Sequence, residues 1–155
     1  MPNRLIIPLL CAASLAFAGG SFASDEQPVD PKLSSEVKSG PIDSKFDVTV
    51  SRDGSNKVLL ALHVTNNTKK MVELLFPNGQ THDFVVTDAA GKEVWRWSDG
   101  RMFTSAMRNK VLNGKGETVY EEKWNAKGLH GAFIATAKLR SNNFPVQTSV
   151  EFVLP

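Results

Sequence analysis

From Phe46 onward, apolar and polar residues alternate with a period of two over most of the chain. Phe46-Asp47-Val48-Thr49-Val50 and Leu60-Ala61-Leu62-His63-Val64 are the clearest cases. Each predicts a half-buried strand, with Phe46, Val48 and Val50 on one inner face and Leu60, Leu62 and Val64 on another. Asp53-Gly54-Ser55-Asn56 supplies the hairpin turn between them, and Asn66 to Lys70 supplies the next. Met71 to Phe76, Thr118 to Trp124, Gly131 to Leu139 and Ser149 to Leu154 read as further strands, with Tyr120 and Trp124 expected to face inward. Phe103, Ala106 and Met107 have the spacing of a single helical turn. About eight short strands, turn signals at regular intervals and no long helix predict an all-β, antiparallel, immunoglobulin-like β-sandwich.

The densest turn chemistry lies between Phe76 and Phe103, which also holds two of the three tryptophans. Phe84 to Thr87 and Glu93 to Trp97 are β-branched and aromatic runs joined by Asp88-Ala89-Ala90-Gly91-Lys92. Asp opening a type I turn, with Gly three residues later to close it through a bulge, predicts a hairpin. A three-residue loop would pair Val86 with Val94 and Phe84 with Arg96. A two-residue loop would pair Phe84 with Trp95 and Asp83 with Arg96. The turn chemistry favours the first register and charge pairing the second, and one residue of slip turns every side chain over.

The N-terminus sets an address. Arg4 and the free amine precede an apolar run from Leu5 to Ala18, and Ser21-Phe22-Ala23 has the small-residue spacing of a cleavage site. Residues 1–23 are therefore expected to be a cleaved secretory signal, leaving an exported, periplasmic or secreted protein with no membrane anchor. Cys11 is the only cysteine, and Leu10 before it argues against a lipoprotein site. No disulfide then supports the mature chain. Residues 24–45 carry prolines, serines and charges of both signs, which predicts a flexible polar leader. The folded domain is expected over residues 46–155. A formal net charge of +2 gives no electrostatic case for a nucleic-acid partner, and a monomer is expected.

Candidate chemistry is sparse. His63, His82 and His130 show no ligand spacing, so neither a metal nor a cofactor is expected. His82-Asp83 and Ser98-Asp99 could suggest a triad, but adjacent strand residues point to opposite faces and no nucleophile elbow is present. No catalytic residue is expected, and the protein reads as a non-enzyme. Asn66-Asn67-Thr68 matches a glycosylation acceptor, but a hairpin turn explains it better. There remain Trp95, Arg96, Trp97 and Phe103, the aromatic and guanidinium groups of which interface hot spots are made. The competing reading places at least one tryptophan in the core, with Arg96 held by a carboxylate such as Asp83. Ser98-Asp99-Gly100-Arg101-Met102 reads as a loop that could expose Asp99, Arg101 and Met102.

Phe76, Gly79-Gln80, Asp83-Phe84, Val86, Asp88, Gly91, Val94-Trp95-Arg96-Trp97-Ser98, Gly100 and Phe103 stand in an order and spacing that resembles the intracellular proteinase inhibitors, the BsuPI family. Leu112-Asn113-Gly114 and Trp124 are also similar. The resemblance spans Phe46 to Leu154. It implies a compact β-sandwich with no catalytic residues and, as in the member that gave the family its name, inhibition of a serine proteinase; the Asp99–Met102 loop is the expected docking element. Taken with the export signal, it implies an envelope or secreted enzyme as target. The alternative is a non-inhibitory protein-interaction module of the cell envelope.

Overall fold

The computed structural model describes residues 32–155, so the expected signal segment and the first part of the leader lie outside the described residues. Ten antiparallel strands follow one another: β1 (Lys32–Ser39), β2 (Ile42–Val50), β3 (Lys57–Asn66), β4 (Val72–Phe76), β5 (His82–Asp88), β6 (Glu93–Arg96), β7 (Arg108–Leu112), β8 (Glu117–Asn125), β9 (Gly131–Leu139) and β10 (Val146–Leu154). They form a sheet in the order β1-β2-β3-β8, a second in the order β10-β9-β5-β6, and a two-stranded ribbon of β4 and β7. The all-β sandwich is established. Its immunoglobulin-like packing is not, and the strands among the described residues number ten where about eight were expected.

The period of two explains the core. Phe46, Val48, Val50, Leu60, Leu62 and Val64 are all buried, as their alternation requires, and they meet Phe84, Val86, Ala135 and Phe152 from the facing sheet. Phe46 stacks on Phe84 at 5.7 Å across the two layers. Trp124 is buried and Tyr120 is half-buried, both on the inner side of β8.

Two expectations are corrected. Residues 32–45, read as the end of a flexible leader, form all of β1 and the start of β2. Lys32 through Ser39 pair residue by residue with Thr49 through Ile42. Val37 packs on the core and Ile42 is fully buried. The polarity that suggested a leader belongs to an edge strand, whose outer face carries Lys32, Ser34, Glu36 and Lys38 and so discourages pairing with other chains. The helical turn at Phe103–Met107 is absent: Ala106 and Met107 are exposed and only Phe103 packs inward.

The hairpin at Asp88 has the expected turn and an unexpected register. Ala90 and Lys92 donate their N–H groups to Asp88 Oδ1, each at 2.9 Å, and Gly91 takes φ 81°. Thr87 pairs with Glu93, as a three-residue loop demands, but a bulge follows between Val86 and Thr87. Beyond it Val86 pairs with Trp95 and Val85 with Arg96, so neither expected register holds along the strand. The extra residue turns Trp95 and Trp97 toward the core and Arg96 outward.

Candidate functional site

The bulged hairpin builds a short loop and its support. The backbone N–H of Trp97 donates to Phe84 O at 2.9 Å, and its ring lies on the inner side of β5. There it stacks on His82, centroids 4.2 Å apart, and His82 also lies against Tyr120 at 4.6 Å. Trp95 stacks on Trp124 at 5.7 Å. Both tryptophans thus take the core role that competed with a docking role.

Asp83 projects from the opposite face of β5 and is 1% exposed. Its carboxylate accepts from Arg96 Nη1 at 3.0 Å, from Ser98 Oγ at 2.9 Å and from the Ser98 N–H at 3.3 Å. Arg96 also grips Glu93, and these two carboxylates, Glu93 foremost, raise its already high pKa. The Asp83–Arg96 pair expected from charge is therefore made, but diagonally across the bulge.

From Ser98 the chain runs out and back. The Arg101 N–H donates to Ser98 O at 3.2 Å, and its Nε to Trp97 O at 2.9 Å. Its guanidinium sits 4.6 Å from the centre of the Trp97 ring. Phe103 lies against the same ring at 5.6 Å. Thr104 O then accepts from the Gly79 N–H at 2.8 Å. Of the residues singled out from sequence, Arg96, Trp97, Arg101 and Phe103 hold the loop and Trp95 packs on Trp124, while Asp99 and Arg101 are exposed and Met102 is 99% exposed.

Gly79 and His82 were missed as supports. A side chain at Gly79 would meet Thr104 Oγ1 at 2.7 Å, a close approach that sequence signals only as one more turn glycine. His82 is buried, its Nδ1 is 3.1 Å from Thr81 Oγ1, and Nε2 stands 3.8 Å from the Glu122 carboxylate, beyond hydrogen-bond reach. Burial pushes its pKa down to about 4.

This arrangement does not assemble a hydrolase. His82 and Asp83 lie on opposite faces of β5, and Ser98 gives its proton to Asp83 rather than to an imidazole. Among the described residues no group of three or more His, Cys, Asp or Glu could hold a metal ion. A second polar cluster lies on the outer face of the first sheet, in a cleft of about 550 Å³. There buried Asp47 meets Lys32 at 2.9 Å, Lys45 at 3.3 Å and His63 at 3.2 Å, and Glu117 takes the other ring nitrogen of His63 at 3.0 Å. The lysine charges face the buried carboxylate, but neither of its oxygens has a hydrogen-bond partner of good geometry. Asn66 is wholly buried and donates to Lys70 O, Leu112 O and Asn113 O, so it serves the turn.

Fold and site together define a β-sandwich that carries a braced, exposed loop and, among the described residues, no catalytic constellation. The family described as intracellular proteinase inhibitor, BsuPI, matches residues 44–144, and the chain belongs to that family. Membership implies proteinase-inhibitor-like function, a proteinase as the kind of partner, and a protein that is not an enzyme. It also corrects the exported, periplasmic or secreted location expected from the N-terminal segment, because the family is described as intracellular. No curated protein matches the chain significantly. Among solved structures, a Bordetella pertussis protein described as ApaA is similar at 13% identity, covering 82% of this chain and 96% of that one, with a TM-score of 0.37. The GAE domain of GGA2p from Saccharomyces cerevisiae is similar at 13% identity, covering 79% and 96%, with a TM-score of 0.28. At such scores neither likeness bears on fold or function.

Proposed function

We propose that this domain inhibits a serine proteinase by docking the Asp99–Phe103 loop into the enzyme's cleft. The observation that carries the reading is the contrast within that loop. Its two ends are tied to β5 and to Gly79, its flanks lie on Trp97, and Met102 between them is 99% exposed. A loop already held in one shape loses little conformational freedom on binding, so more of its contact energy appears as affinity. The sandwich supplies the rigidity and the loop the contact. Titration of the purified domain against a panel of serine proteinases tests this. Stoichiometric loss of activity in at least one is expected, and full activity of every enzyme at micromolar inhibitor would refute it.

A further inference from the structure

Two neighbouring side chains at the loop's tip could enter an enzyme's primary pocket, and they select opposite targets. A guanidinium needs an acidic pocket; a thioether needs an apolar one. The geometry separates them. Arg101 is already engaged, with its Nε on Trp97 O at 2.9 Å, its guanidinium 4.6 Å from the centre of the Trp97 ring, and its N–H on Ser98 O. Phe103 rests on the same ring. Residues on either side of Met102 thus lie against one indole, and Met102 between them is 99% exposed to solvent.

We infer that Met102 is the residue that fills the primary specificity pocket, and that the target is a serine proteinase whose pocket is apolar. This rests on the loop-docking reading above and makes it specific. An unbranched, polarisable side chain adapts its shape to a narrow apolar slot. Arg101 in this arrangement is a positioning residue, which keeps the tip from folding back. Met71 and Met107 are exposed at 72% each, but they lie outside the braced segment and serve as internal controls.

The test uses the whole domain against three serine proteinases with apolar, acidic and shallow primary pockets. Wild type should inhibit the first best. Met102→Leu should retain that inhibition, Met102→Asp should lose about a hundredfold, and Met102→Lys should move preference to the acidic-pocket enzyme by about tenfold or more. Met107→Asp should change nothing. Met102 makes no packing contact, so unchanged melting curves would show that these variants fold. Two results would overturn the inference: Met102→Asp inhibiting like wild type while Asp99→Trp weakens inhibition, or Arg101→Ala switching target preference while Met102→Lys does not. In either case the loop still docks. If Asp99→Trp and every Met102 variant inhibit like wild type, the loop-docking reading falls and this inference with it.

Discussion

Ser98 is bound twice to Asp83, through its hydroxyl at 2.9 Å and its backbone N–H at 3.3 Å, and through them the first residue of the loop is tied to a carboxylate that is 1% exposed. Arg96 supplies the opposite charge at 3.0 Å. Removing a buried charge's partner costs more than the pair was worth, because the remaining groups lose their acceptor.

Asp83→Ala should therefore destabilise the domain by about 2–3 kcal/mol, less than a fully buried pair because Arg96 keeps Glu93 and some solvent. Asp83→Asn, which keeps an acceptor, should cost about half as much. Urea unfolding measures both. Inhibition by folded Asp83→Ala should fall as well, since Ser98 no longer fixes the loop's entry.

The His82 ring, packed among Trp97, Tyr120 and Phe84, makes the fold acid-sensitive. Burial holds its pKa at about 4 against an ordinary 6.5; the Asp83 charge pulls it up and Arg101 pushes it further down. Between these two values the unfolded chain takes up a proton that the folded chain refuses. Stability should then fall as pH drops from 6.5 toward 4 and level off below. The full loss from this residue is about 2–3 kcal/mol, trimmed by Glu122 at 3.8 Å, which can face the new charge. In His82→Phe this part of the acid limb should flatten. An unchanged slope of unfolding free energy against pH in that variant would contradict the assignment.

Two glycines should differ in how they fail. At Gly79 a methyl group would strike Thr104 Oγ1 at 2.7 Å and Thr104 N at 3.0 Å, which pushes on the loop's exit. At Gly114 it would strike Lys69 O at 2.2 Å and the Lys69 carbonyl carbon at 2.5 Å, and a backbone cannot rotate away. Gly114→Ala should cost about 3 kcal/mol or more and Gly79→Ala about 1–2 kcal/mol. Gly79→Ala should lower inhibition even where it remains folded, while Gly114→Ala should act through stability alone. Thermal melts paired with inhibition titrations separate the two.

What could be read in the sequence follows from what each strand buries. β2 and β3 were legible because their inner positions are Phe46, Val48, Leu60 and Leu62, large apolar groups at a strict period. β1 was not, because its core-facing side buries little: Leu33 is 38% exposed, Ser35 and Ser39 are polar, only Val37 packs on the core, and the strand is held by backbone pairing to β2. The Asp88–Gly91 turn was legible from its residues alone. The bulge beside it leaves no residue signature, and it decides which way Trp95, Arg96 and Trp97 face. The loop was therefore located from sequence, but the division between holding residues and the displayed Met102 required the register. The N-terminal segment was read as an export signal, and family membership overrides the location drawn from it.

The display of Met102 also makes the loop open to oxidation. Hydrogen peroxide transfers one oxygen atom to the thioether, giving methionine sulfoxide and water, at a rate that follows access to the sulfur. Met102 is 99% exposed, against 72% for Met71 and Met107, so mild peroxide should modify it first, as peptide mass spectrometry would show. The sulfoxide carries a strong acceptor into a site that offers an apolar surface, and an unpaired polar group there costs about 1–3 kcal/mol. Inhibition should weaken by about tenfold or more when Met102 alone is oxidised, and methionine sulfoxide reductase should restore it. Met102→Leu, which has no sulfur at that position, should inhibit equally before and after the same treatment. Sensitivity that persists in Met102→Leu would overturn this account, and if peptide mapping then placed the oxidised sulfur at Met71 or Met107 rather than at Met1 or Cys11, the contact surface would move to the β4–β7 ribbon.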